Sequence, residues 1–234
     1  MRKLFTVILI FVFSGLFSQS QLEDIRESTS TFYGTDDVLI NGGVYTPLHP
    51  VASGNQYFIR SNFSKGSLSL VGRDFQNVDL KFDIEQQRLI LKGFIDSVNF
   101  EIIVLNDNYI KEFVLFDYKF VNLSNYLNSK TIKGFYELIY SGSFVFVRSY
   151  HKEFLASYSN RYLNGKYSET KIENFIIRDN IKYEIKKNKN LFSVFPEQKG
   201  LIKKFMKDNK IKLRKASNTS LNKLMQYCDE VSMQ

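Results

Sequence analysis

The chain has 234 residues, 44% of them hydrophobic, with 22 Phe and 14 Tyr but no Trp, and a formal net charge of +8. That much apolar material excludes a disordered chain, and the single cysteine, Cys228, excludes a scaffold stapled by internal disulfides. The charge is uneven: from Lys182 to Lys223 thirteen Lys or Arg stand against three acids, so a basic C-terminal segment follows a mildly acidic body.

At the start of the chain, Arg2 and Lys3 precede an apolar run from Leu4 to Phe13, and Ser14, Gly15, Ser18 and Ser20 follow. A basic start, a short greasy centre and a small-residue end predict a secretory signal peptide over residues 1–20. The run is shorter than the roughly 20 apolar residues that cross a bilayer. No later stretch approaches that length, so no transmembrane segment is expected in the mature chain. The expected address is exported, periplasmic or at the cell surface. Residues 21–32 read as a polar lead-in, a short helix or a loose connection.

From Tyr33 to about Ile185 the chain reads as successive strands. Leu68 and Leu70 alternate with Ser67 and Ser69, and Val78, Leu80 and Phe82 alternate with Asp79, Lys81 and Asp83. This is the period of a half-buried strand. Leu89 to Leu91 answers across a turn at Glu85 to Gln87. Further hairpin turns are expected at Asn106 to Asn108, at Asp117-Tyr118, at Ser141-Gly142 and at Asp179-Asn180, since Asp, Asn and Gly tolerate the backbone that tight turns need. Gly42-Gly43 is read as another such turn. Closely spaced strands with these signals predict an antiparallel β meander, a sandwich or an incomplete barrel, over residues 21–190.

The period changes after Leu191. Pro196 suits a first helical turn, and Leu201, Ile202, Phe205 and Met206 fall on one helical face, with Asn209 as the stop. Ser217 is the expected N-cap of a second helix whose stripe is Leu221, Leu224, Met225, Cys228 and Val231. Residues 191–234 are therefore expected to form a basic helical hairpin packed on the sheet, with Cys228 a buried, inert thiol.

Little in the sequence points to catalysis. The two histidines, His49 and His151, have no spaced partner of a metal site, and each reads as a solvated loop residue. Asp36-Asp37 is the only pair of adjacent aspartates, and it reads as a turn or strand edge, while Ser141-Gly142-Ser143 reads as a turn rather than a nucleophile elbow. No cofactor, metal or catalytic residue is predicted. The feature that exceeds background is the run Lys203, Lys204, Lys207, Lys210, Lys212, Arg214 and Lys215, which suits a polyanion. For an exported protein that partner is an anionic envelope component (lipopolysaccharide or another glycan) or an acidic protein. Nucleic acid fits less well, because Phe205 is claimed by the apolar stripe and leaves no exposed aromatic to stack on bases.

The stretch Ile40-Asn41-Gly42-Gly43-Val44-Tyr45-Thr46-Pro47, the run Asn77 to Asp83, and the endings Phe205 to Lys210 and Leu224 to Cys228 resemble a set of small exported bacterial proteins with no assigned activity. The resemblance implies the same architecture and export and supplies no mechanism. The sequence reading is therefore an exported, non-enzymatic binding or scaffold protein of the envelope. Its rivals are a carrier holding a small apolar ligand in a half-closed barrel, and a hydrolase whose carboxylates gather from separate strands.

Overall fold

The computed structural model describes residues 42–94, 99–156 and 158–233. The expected leader, the lead-in and Asp36-Asp37 lie outside them. The fold is mainly β, as expected: an open antiparallel sheet of 11 strands, a two-stranded sheet, and helices gathered toward the C-terminus.

The strands are β1 (Gly42–Val44), β2 (Ser64–Leu70), β3 (Arg73–Asp83), β4 (Arg88–Phe94), β5 (Phe100–Leu105), β6 (Ile110–Leu115), β7 (Tyr118–Asn122), β8 (Phe135–Ser141), β9 (Val145–His151), β10 (Phe154–Leu155), β11 (Lys166–Tyr167), β12 (Lys171–Arg178) and β13 (Ile181–Glu184). Their order in the large sheet is β1-β5-β4-β3-β2-β6-β7-β8-β9-β12-β13. The meander is thus interrupted where β1 pairs with β5, where β6 pairs with β2, and where β12 follows β9 past the small sheet. After β5 the chain crosses a 3-10 turn at Asp107–Tyr109 and lays β6 beside β2 instead of continuing outward.

Turn chemistry fixes most of the hairpins. Phe116 and Asp117 join β6 to β7, and Asp179 and Asn180 join β12 to β13, all four with positive φ. Two consecutive residues of that kind twist the chain as a two-residue hairpin requires. Gly42-Gly43 is not a turn, contrary to the sequence reading: it lies within β1, paired to β5. A Cβ on Gly42 would collide with the Val104 carbonyl oxygen, so the glycine is there for close backbone approach.

One face of β2 to β7 curls around an interior filled with rings. Phe82, Phe113, Phe120 and Phe135 are all fully buried or nearly so. Phe82 meets Phe113, Phe120 and Phe135 at 5.3, 5.2 and 5.9 Å, and Phe58 meets Phe120 and Tyr150 at 5.1 and 4.8 Å. Nearly all are edge-on or tilted, the arrangement aromatic quadrupoles favour. The strand with Phe82 and the strand with Phe135 are not neighbours in the sheet, so their contact is made across the curl. Segment 55–58 helps hold the curl: Phe58 N–H donates to the Phe82 carbonyl, and the Lys152 ammonium donates to the Asn55 and Tyr57 carbonyls at 2.8 and 3.2 Å.

Farther along the same face, helices take over. Short α1 (Leu123–Tyr126) lies on the opposite face, where Leu123, Ile132, Tyr136, Val147 and Phe175 form a separate apolar cluster. Then α2 (Asn188–Val194), α3 (Lys199–Asp208) and α4 (Asn218–Ser232) cover β8, β9 and β12. The helical start is Asn188, ahead of the expected change at Leu191. Pro196 stands between α2 and α3 rather than inside a helix. Leu201 is exposed, whereas Ile202 and Met206 are buried, so the true apolar stripe is narrower than the sequence reading made it. Asn209 does end α3 and Ser217 does cap α4, its hydroxyl accepting from Ser220 N–H. The stripe Leu221, Leu224, Met225 and Cys228 is fully buried.

Between the aromatic interior and the helix-covered region runs one polar row. Phe113, Phe120, Glu137, Arg148 and Asn174 are lateral neighbours across β6, β7, β8, β9 and β12. Glu137 accepts from the Tyr150 hydroxyl at 2.7 Å and from the Asn218 amide of α4, with Arg148 Nη1 3.6 Å away. Arg148 also donates to Asn174 at 2.9 Å and to Asn218 at 2.8 Å. Burial pushes the Glu137 carboxyl above its ordinary range, and Tyr150, Arg148 and Asn218 draw it part of the way back. Replacing Arg148 by Ala strands this carboxylate, so Arg148→Ala should cost about 3–5 kcal/mol in urea unfolding. The pair Glu137→Gln with Arg148→Met should cost much less than Arg148→Ala alone.

Candidate functional site

Apart from Asp36-Asp37, the places where the sequence could hold chemistry lie within the described residues, and four polar clusters emerge that no local pattern announces. The first surrounds Asp83 at the β3–β4 turn. Its Oδ1 accepts Glu85 N–H and Gln86 N–H at 2.9 Å each, and its Oδ2 accepts the Tyr45 hydroxyl at 2.7 Å. Gln56 donates to the Tyr45 oxygen at 3.0 Å. Asp83 is fully buried, and its lone pairs are occupied by the turn it caps. Burial, the Tyr57 hydroxyl and Asp83 together hold Tyr45 firmly protonated.

The second cluster adjoins the first. Glu85 Oε2 accepts the Tyr167 hydroxyl at 2.8 Å, and its Oε1 stands 3.7 Å from His49 Nε2. The His49 ring stacks on Phe154, centroids 3.7 Å apart. His49 is therefore not simply a solvated loop residue, as its sequence context suggested: it joins the loop after β1 to β10 and to the β3–β4 turn. Asp83 and Glu85 are two carboxylates near a histidine, the pattern that a hydrolase built from scattered acids would show. Each, however, is engaged by the turn or by a tyrosine. Burial, followed by the bond to Glu85, raises the Tyr167 hydroxyl above its ordinary value.

His151 stands at the end of β9, half-buried, with Gln87 Nε2 3.4 Å from its Nδ1. Burial lowers its pKa, so it is neutral at pH 7. The third cluster is the Glu137 row already described. Among the described residues no group of His, Cys, Asp and Glu is arranged to hold a metal ion.

The fourth cluster binds α4 to the β8–β9 turn. Asp229 accepts the Tyr140 hydroxyl at 2.5 Å, the Ser143 N–H at 2.9 Å and the Ser143 hydroxyl. Ser141-Gly142-Ser143 is the turn expected from sequence, and a Cβ on Gly142 would strike both Asp229 and Tyr140. Two turns earlier in α4, Asn222 donates to the Ile139 carbonyl at 2.6 Å, next to the register shift in β8. Burial tends to raise the Asp229 carboxyl, but the bonds from Ser143 and Tyr140 outweigh it and leave the pKa lowered. A lowered carboxyl contributes stability above its ordinary range that is lost as pH falls through the folded value. Asp229→Asn should therefore be less stable at pH 7 by about 2–3 kcal/mol and should flatten the loss seen below about pH 4 in acid unfolding.

Cys228, beside Asp229, is fully buried, and burial pushes its thiol up to about 12. Ellman's reagent should leave this thiol unmodified in native buffer and react with it fully in denaturant.

All seven residues of the expected polyanion site are exposed. Lys203, Lys204 and Lys207 are on the outer side of α3, and Lys210 follows its end in a left-handed conformation. Lys212 precedes, and Arg214 and Lys215 lie within, a 3-10 turn anchored by buried Leu213. Among the described residues none of the seven is held in an ion pair, and Asp208 is the one acid between Lys199 and Lys215. Phe205 is stacked on Tyr227, centroids 4.1 Å apart, and is not free to meet a base. Like charges three and four residues apart repel on a helix, by about 0.2–0.5 kcal/mol per pair. This segment therefore carries a small electrostatic cost that a bound anion would relieve.

No family model, no curated protein and no solved structure matches this chain.

Proposed function

We propose that this protein is an exported, non-enzymatic binding protein of the cell envelope. In this reading it holds a phosphate- or carboxylate-bearing envelope polymer on the basic segment from Lys203 to Lys215. One observation carries the reading. The interior carboxylates Asp83, Glu85, Glu137 and Asp229 are each engaged by internal donors, whereas the seven basic side chains face solvent with no acidic partner among the described residues. Groups bound into the scaffold hold the fold, and groups left unneutralised at the surface are the ones available to a ligand. The aromatic filling of the curled sheet favours this reading over a carrier with an internal apolar cavity.

The test uses fluorescein-labelled heparin and purified lipopolysaccharide as anionic probes. Binding followed by anisotropy should weaken steeply as salt rises, because the contacts are exposed and screened. Lys203→Glu, Lys204→Glu, Lys207→Glu and Lys210→Glu combined should weaken it by at least about tenfold without changing Tm. Undiminished binding by that variant would discard the basic segment as the site. Turnover of an ester, glycan or peptide substrate, abolished by one point substitution, would discard the non-enzymatic reading.

A further inference from the structure

A second surface has a different chemistry. The small β10–β11 hairpin and the loop 48–54 form one lobe on the large sheet. Ser53 N–H donates to the Gly165 carbonyl at 3.0 Å, and Tyr167 N–H donates to the Ser53 carbonyl at 2.9 Å. His49 stacks on Phe154, which pairs with Tyr167 across the hairpin. These contacts give the lobe a firm base.

Its outward side sets exposed aliphatic side chains among polar and basic ones. Leu163 is 75% exposed and Val51 70%, and both line one shallow depression. Leu48 of the same loop and Leu155 of the same hairpin are also exposed. Two aliphatic side chains sharing one water-open depression differ from the singly scattered exposed apolar residues of an ordinary surface. Charge then narrows what covers them. No Asp or Glu occurs from Phe154 to Tyr167 or from Leu48 to Gly54, whereas Arg161 and Lys166 lie within this lobe. Both cations sit over the Tyr162 ring, at 5.5 and 4.6 Å. Exposed aliphatics, a tyrosine at their margin and cations held in no ion pair among the described residues are the composition of a protein surface lying on a bilayer of anionic lipid. The aliphatics would enter the acyl boundary and the cations would meet phosphate.

We infer that the outward face of this lobe, centred on Val51, Leu163, Arg161 and Lys166, docks on the surface of an anionic lipid bilayer. The docking is peripheral and independent of the basic segment at 203–215.

The chain contains no tryptophan, which makes a single introduced indole a clean reporter. Leu163→Trp in the lobe and, separately, Leu201→Trp on exposed α3 are each mixed with vesicles of equal parts phosphatidylcholine and phosphatidylglycerol. The indole at 163 should shift to the blue and be quenched by brominated acyl chains, and the indole at 201 should not be quenched. Vesicles of phosphatidylcholine alone should give a weaker response. Val51→Ser with Leu163→Ser, which leaves every charge in place, should lower the vesicle partition coefficient about tenfold with Tm unchanged. The inference is overturned if the indole at 163 is unaffected by either vesicle, or if only the indole at 201 is quenched. A blue shift that follows protein concentration without lipid would assign the surface to a second copy of the chain and would overturn it equally.

Discussion

The polar row of Glu137, Arg148 and Asn174 decides how this sheet can be used. On one side of it the inward face carries phenylalanines that require a curved wall around them. On the other side the same face carries Ile139, Phe146 and Ile176, which need a flat layer of helices. An uninterrupted apolar face would leave the boundary between these two packings unspecified. A buried carboxylate with an arginine beside it can be satisfied in few geometries. Here that geometry requires Tyr150 from the curled side and Asn218 from the helical side. The row therefore sets where the curl stops and fixes the start of α4 above it.

Other polar contacts act at the margins in the same way. Asp83 sets the β3–β4 turn and draws the loop containing Tyr45 onto it. Asp229 pins the far end of α4 to the β8–β9 turn, so the helix is held at both ends: by Asn218 near its start and by Asp229 near its finish. Between these points the helix contributes Leu221, Leu224 and Met225 to the core. Burial supplies most of the favourable free energy, and the polar contacts choose among the ways of burying.

Much of this was legible in the sequence, because the signals were local. Alternation at Val78, Leu80 and Phe82 identified a strand and its buried face, and Asp179-Asn180 marked a hairpin. Spacing from Leu221 to Cys228 marked a helix. Neighbour identity was not legible: a period of two says which way a side chain points, and it is silent on whether β6 lies beside β5 or β2. Helix α2 was missed because Asn188–Val194 buries only Leu191 fully and so shows no periodic stripe. Gly42-Gly43 was misread because the need for glycine at position 42 comes from Val104, far away in the chain, and not from a local turn. The same holds for the clusters. Tyr150 and Glu137, Asn218 and Glu137, and His49 and Phe154 are brought together by sheet register and curl, and no local pattern announces them. The basic segment was visible because a run of like charge is a one-dimensional property.

The sealed position of Cys228 bears on how this molecule tolerates its surroundings. Once α4 is seated, oxidants and disulfides have no route to the Cys228 sulfur, and the state of this thiol no longer follows the redox conditions around it. While α4 is detached, the same sulfur can attack a small disulfide, releasing one thiol and leaving a mixed disulfide on Cys228, and a side chain so enlarged does not fit a position that is fully buried in the folded protein. The seating of one helix thus separates a species whose thiol is beyond the reach of exchange from one that must shed its cap before it can fold.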